Sequence, residues 1–167
     1  MANILVGTSS WTDKSLIDSG RFYPRSATTP EDRLRYYASQ FPIVEIDSSY
    51  YGIPTEANAR LWVERTPPEF VFNVKAYRLF TRHQTPVASL AKDIRAALGP
   101  VDKANVYDED VPAEIQLELW RQFRRARDLG GSRQARRRAF PVRAVGRLSS
   151  EELRLRRALR GMLAGFR

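Results

Sequence analysis

The sequence contains no cysteine, which removes a disulfide framework, a thiolate nucleophile and any cysteine-based metal site. It also lacks any run of eighteen apolar residues. The opening Met1-Ala2-Asn3-Ile4-Leu5-Val6-Gly7 carries neither a basic n-region nor a long apolar h-region. Neither a membrane helix nor a signal peptide is expected, and the reading is of a soluble, cytoplasmic chain. Lysine is missing from residues 121–167, where 15 arginines stand against 3 acids. Residues 1–120 carry 13 basic against 16 acidic side chains, so the formal charge of +9 comes entirely from the C-terminal stretch. A basic protein of uniform composition would suggest a nucleic-acid partner. Here two unlike compositions share one chain.

At 167 residues with 43% apolar and 11% aromatic side chains, one ordinary hydrophobic core is affordable and one domain is the prior. Asn3 to Thr8 is a short apolar run stopped by Gly7 and Thr8-Ser9-Ser10, and reads as a first, buried strand. Thr28-Thr29-Pro30-Glu31-Asp32 supplies a capping hydroxyl, a first-turn proline and acids for the positive end of a helix. Leu34, Tyr37, Ala38 and Phe41 give that helix one apolar face, and Pro42 ends it. Ile43 to Ser48 reads as the second strand. Thr55 caps a second helix that Pro67-Pro68 stops, and Phe70 to Lys75 is the third strand. Strand, helix, strand, helix, strand at this spacing is the pattern of βαβ units and a parallel sheet.

After Lys75 the pattern loosens into an expected long loop through Thr81-Arg82-His83-Gln84-Thr85-Pro86. A helix is expected from Pro112 to Arg125, with Ile115, Leu119 and Phe123 four apart and Trp120 beside them. Beyond it, Arg133 to Arg147 has six arginines, no acid and no sustained period. Ser149 to Leu163 regains an amphipathic pattern that suits a helix.

Alternation along a strand puts Glu45 and Asp47 on one face of the second strand, and Asn73 and Lys75 on one face of the third. Charges on a covered parallel sheet must pair or face a cleft, because an unpaired buried ion costs several kcal/mol. Glu45 and Lys75 are therefore either a structural ion pair or the candidate catalytic pair of a pocket at the strand ends. Trp11, Tyr50 and Tyr51 follow strand ends, where their rings either stack on a planar or sugar-like ligand or pack structurally. With Asp47 and Asn73 they form the candidate ligand-binding set. His83, the one histidine, is either a solvated loop residue or a further member of that set.

Gly7-Thr8-Ser9-Ser10-Trp11, Tyr23-Pro24, Val44-Glu45-Ile46-Asp47-Ser48-Ser49-Tyr50-Tyr51, Pro54 and Phe72-Asn73-Val74-Lys75-Ala76, with His83 downstream, resemble the YecE-like family, domain of unknown function 72. The resemblance covers about residues 4–124, and Asp47 stands where other branches have Asn. It implies an α/β fold, a TIM-like (β/α)₈ barrel of roughly 240 to 300 residues with a polar pocket at the C-terminal strand ends. Family pocket positions carry over to Glu45, Asp47, Tyr50 and Lys75. The family's later Glu-Phe-Arg and Ser-Trp motifs have no counterpart, so half of the implied pocket is missing. The expectation is an incomplete N-terminal barrel fragment with three parallel strands.

The family's helix corresponding to Pro112–Arg125 leads into a fourth strand, and this chain departs from that pattern. One permitted set of codons for Arg133-Gln134-Ala135-Arg136-Arg137-Arg138-Ala139-Phe140, read one base later, spells Gly-Lys-Leu-Gly-Ala-Val-Leu, the strand the family implies. A frame disruption near residue 125 is therefore expected, dividing the chain into 1–124, barrel-like, and 125–167, an out-of-frame arginine-rich tail. On this reading full-length relatives bind a small polar or anionic ligand at the barrel mouth, while this chain is truncated and inactive. The alternative is a basic-tailed nucleic-acid-binding protein whose contacts are non-specific. Neither spacing nor resemblance names a reaction or a cofactor.

Overall fold

The computed structural model describes residues 4–129. The arginine-rich stretch from residue 130 and the helix expected at Ser149 to Leu163 lie outside these residues. A short helix α1, Lys14–Asp18, precedes α2, Pro30–Gln40. Thr29 and Asp32 close a reciprocal capping box at the start of α2, with Pro30 in the first turn, as the residue types dictate. The helix buries Leu34, Tyr37 and Ala38. Strand β1, Ile43–Ile46, then pairs in parallel with β2, Val71–Val74, in the register Val44↔Phe72, Glu45↔Asn73. Helix α3, Glu56–Glu64, capped by Thr55, joins them.

Val44 and Ile46 point into a core with Tyr37, Ala38 and Phe70, which Trp11, Phe22 and Trp62 border. The helices thus cover one face of the β1–β2 pair. The opposite face holds Glu45 and Asn73, half-buried and exposed. This is the alternation expected of the strands, with only one of the two faces covered.

The first strand is corrected. Glu45 accepts from Ser10 N at 2.9 Å and donates to Thr8 O at 3.0 Å, so the N-terminal segment does lie along the β1 edge away from β2. It forms one bridge, Ser9↔Glu45, and no ladder, so among the described residues there are two parallel strands where three were expected. Ile4 is 85% and Val6 64% exposed, against the expectation of burial. The physical reason is the outer side of the segment: no described element pairs with it, so nothing selects a regular pleat or buries its alternate side chains. What holds the segment is close approach and hydrogen bonding. A Cβ on Gly7 would stand 2.0 Å from the Ile43 carbonyl oxygen, so only glycine fits. The Tyr37 hydroxyl accepts from Thr8 N at 2.6 Å and lies 3.2 Å from the Ile43 carbonyl, joining α2, β1 and the N-terminal segment at one buried point.

The stretch after β2, expected to be a long loop, has structure of its own. β3, Thr85–Pro86, pairs antiparallel with β4, Asn105–Val106, and α4, Lys92–Leu98, lies between them. The last described helix, α5, Ala113–Leu129, runs four residues past its expected end at Arg125 and packs against α3 and α4. Its residues Ile115, Leu119 and Phe123 enter a second core with Tyr77, Leu79, Ile94 and Val106. Two ion pairs tie this lobe's loops: Arg82 to Asp108 at 2.9 Å and Lys103 to Asp110 at 2.6 Å. No described helix is long and apolar enough to cross a membrane.

Candidate functional site

Both parallel strands end in a 3₁₀ turn, Asp47–Tyr50 after β1 and Arg78–Thr81 shortly after β2. Buried Ser49 ties the two ends together, its Oγ lying 2.6 Å from the carbonyl oxygens of both Ile46 and Lys75. One hydroxyl proton serves two acceptors there, which fixes the spacing of the strand ends.

On this platform the charged side chains of the two strands meet. Lys75 Nζ is 2.5 Å from Asp47 Oδ1 and 3.9 Å from Glu45 Oε1. Glu45 Oε1 also accepts from Ser9 Oγ at 2.9 Å. The anticipated Glu45–Lys75 pairing is therefore present as the longer contact, and Asp47 is the nearer partner. Its hydrogen bond raises the Lys75 pKa above the ordinary lysine value, against a smaller opposing effect of desolvation. Lys75 is thus held as a cation at neutral pH, suited to pairing with negative charge and unsuited to accepting a proton.

Aromatic rings wall the cluster. Lys75 Nζ sits 5.4 Å from the Tyr50 ring centroid, and Tyr51 meets Tyr50 edge-on at 5.0 Å. His83 meets Tyr50 at 5.7 Å, with Nδ1 2.8 Å from Thr81 Oγ1. Of the sequence candidates, Glu45, Asp47, Tyr50, Tyr51, Lys75 and His83 are brought together. Asn73 sits beside Glu45 in the strand register, and a groove of about 280 Å³ runs past both, lined also by Leu5, Thr8 and Ser9. Trp11 is not brought to the cluster. Its indole donates to the Pro30 carbonyl at 3.1 Å and its ring meets Trp62 edge-on at 5.8 Å, on the helix-covered side. The Tyr23 hydroxyl donates to the Trp11 carbonyl, and burial pushes the Tyr23 pKa up to about 12. Among the described residues no group of three or more His, Asp and Glu gathers in a way that could hold a metal.

Arg78 escaped the sequence reading. Its Cζ lies 5.5 Å from the Tyr50 centroid and 6.0 Å from that of Tyr51, so it shares the rings with Lys75. Ser9 and Ser49 escaped too, as small hydroxyls without a distinctive spacing. For Arg78 the available signal was its place three residues after Lys75, just beyond a strand end.

The family model described as "Protein of unknown function DUF72" matches residues 5–145. The chain belongs to this family. Its resemblance by motif ran to about residue 124, and the matched span of this DUF72 chain continues past that point. The UPF0759 protein YunF of Bacillus subtilis (strain 168) is 42% identical to it over 81 residues, which are 48% of the chain and 27% of YunF. A solved DUF72 family protein from Enterococcus faecalis V583 is 44% identical over 27% of the chain and 18% of its own length, with a TM-score of 0.26. The DUF72 chain therefore matches about a quarter of the curated relative's length and less than a fifth of the solved structure's.

Proposed function

We propose that this DUF72 chain is the N-terminal part of a TIM-like (β/α)₈ barrel whose mouth binds a small polar or anionic ligand at the C-terminal strand ends. Residues 1–124 supply the first portion of that barrel, and residues 125–167 are an out-of-frame tail, so the chain by itself is inactive. The observation that carries this reading is the gathering of Glu45, Asp47, Lys75 and Tyr50 beyond the ends of two parallel strands. Active sites of (β/α)₈ barrels lie at this end of the sheet. The uncovered polar face of Glu45 and Asn73 supports it further, since a barrel interior would close over such a face.

In the complete protein Lys75 serves as charge partner and Glu45 as acid/base or hydrogen-bond anchor, with Tyr50, Tyr51 and His83 as walls. The family match crosses the proposed junction at residue 125, so the coding sequence around codons 120–170 is the direct check on the tail. The functional test uses the frame-restored product. Thermal-shift screening against small carboxylates, phosphates and sugars should find ligands that raise its Tm, since a ligand at a hundred times its Kd adds about 2.7 kcal/mol. Glu45→Ala and Lys75→Ala should each reduce that rise. Profiles identical to the parent's in both variants reject these assignments.

The segregation of charge favours one further reading, non-specific nucleic-acid binding by the arginine-rich segment. Such binding is electrostatic and weakens steeply with salt, by about 10³ to 10⁵ between 50 and 200 mM for six to ten phosphate contacts. High affinity retained at elevated salt would favour an evolved nucleic-acid function over the out-of-frame tail.

A further inference from the structure

The strand-end cluster holds two cations in different electrostatic situations. Lys75 is matched by two carboxylates, Asp47 at 2.5 Å and Glu45 at 3.9 Å. Arg82, four residues after Arg78, is matched by Asp108 at 2.9 Å. Arg78 has no carboxylate partner among the described residues, and its Nε is buried without a hydrogen-bond acceptor. A buried donor left unsatisfied is uncommon in a folded protein, and a charged one more so. The guanidinium is nevertheless held in place. Tyr50 and Tyr51 present their rings to it at 5.5 and 6.0 Å, and the His83 amide donates to the Arg78 carbonyl at 3.0 Å, closing the turn.

We propose that Arg78 is the principal anion receptor of the strand-end site, with Lys75 the lesser charge partner, and that it takes an oxyanion group, carboxylate or phosphate, on its guanidinium fork. This deepens the proposed function and rests on its reading of the strand ends as a ligand site. The chemistry follows from the two cations' surroundings. The positive charge of Lys75 is already offset, so it offers an incoming anion little net attraction. Arg78 keeps its full charge, and its planar fork matches two oxygens of a carboxylate or phosphate, a geometry an ammonium does not reproduce. His83 lies next to the Tyr50 ring with Nδ1 engaged by Thr81, which leaves its other ring nitrogen for the ligand's remaining polar groups. Lys75, 5.4 Å from the same Tyr50 ring, also helps to fix it beside the guanidinium.

Nuclear magnetic resonance on the full 167-residue chain tests this, titrating inorganic phosphate in one arm and acetate in the other. The Arg78 Nε–Hε signal, assigned by its loss in Arg78→Lys, should shift saturably in at least one arm, and the arm with the lower Kd identifies the preferred oxyanion. Ring signals of Tyr50 and His83 report binding in every variant. Arg78→Lys keeps the charge and loses the fork, and should weaken binding about tenfold, the equivalent of one lost 1.4 kcal/mol contact. Arg78→Gln should weaken it at least as much, and Lys75→Gln by less than about threefold. Matching backbone amide spectra establish that each variant is folded, and either Arg78 variant suffices. Equal affinity in the folded Arg78 variants, with loss in Lys75→Gln, overturns the Arg78 assignment and leaves the strand-end site standing. No saturable shift at Arg78, Tyr50 or His83 with either anion overturns the Arg78 assignment, while the strand-end reading is decided by the frame-restored product.

Discussion

Tyr37→Ala unfolds most of the chain. The ring is fully buried, and deleting a buried aromatic side chain costs about 3–5 kcal/mol through lost contacts and the cavity left behind. Its rings of contact include Phe22, Phe41 and Phe70, so the cavity opens at the centre of the first core. The hydroxyl adds a second loss. It serves Thr8 N, Thr8 Oγ1 and the Ile43 carbonyl, and an orphaned buried group costs about 1–3 kcal/mol. Small domains have about 5–15 kcal/mol in total, so the variant is left with little. Tyr37→Phe separates the two losses: it keeps the ring, and should cost about 1–3 kcal/mol. Urea titrations followed by circular dichroism measure both. A Tyr37→Ala variant within about 1 kcal/mol of the parent would show that the N-terminal segment and β1 are not held through this residue.

Phe123→Ala should be nearly as damaging, in a different place. Phe123 is 1% exposed and packs against Phe80 at 5.6 Å and Trp120 at 5.8 Å, within the core that joins α5 to the β3–β4 lobe. Truncation costs about 3–5 kcal/mol. Because the two cores draw on different buried residues, the loss should be felt first in the lobe. Native-state hydrogen exchange should show the Val106 amide losing protection while that of Glu45 keeps most of its own. Equal loss at both would mean that the two cores unfold as one unit.

The parts of this fold that the sequence made legible are those with strong local signals. Thr29-Pro30 with Asp32, and Thr55, mark helix starts because their side chains satisfy amide groups that would otherwise lack partners. Ile115, Leu119 and Phe123 mark α5 because their spacing matches the helical period. The alternation in Ile43–Ile46 placed Glu45 on the polar face for the same kind of reason, whereas Asp47 and Lys75 follow just beyond the two strand ends. What escaped depends on partners distant in sequence. Ile4 to Val6 is apolar enough for a buried strand, yet burial requires an element on its outer side, which local pattern does not report. The β3–β4 pair has two residues per strand, too few for any period, and α4 has Ala91 at its N-cap, with no side chain to cap it. Arg78 looked like one of many arginines in loops, and its unpartnered Nε appears only once its neighbours are placed.

Backbone amide exchange along β2 is the most direct measurement of whether this sheet belongs to a larger barrel. Val71 N donates to Pro42 O and Lys75 N to Ile46 O, so the alternate amides of Phe72 and Val74 face away from β1, where the next strand of a closed cylinder would lie. In the 167-residue chain as a monomer, Phe72 and Val74 should exchange quickly while Val71 and Asn73 are protected, and in the frame-restored protein all four should be protected. Phe72 and Val74 as slow as Val71 and Asn73 in the monomeric chain would contradict the account, because the outer edge of β2 would then already be paired.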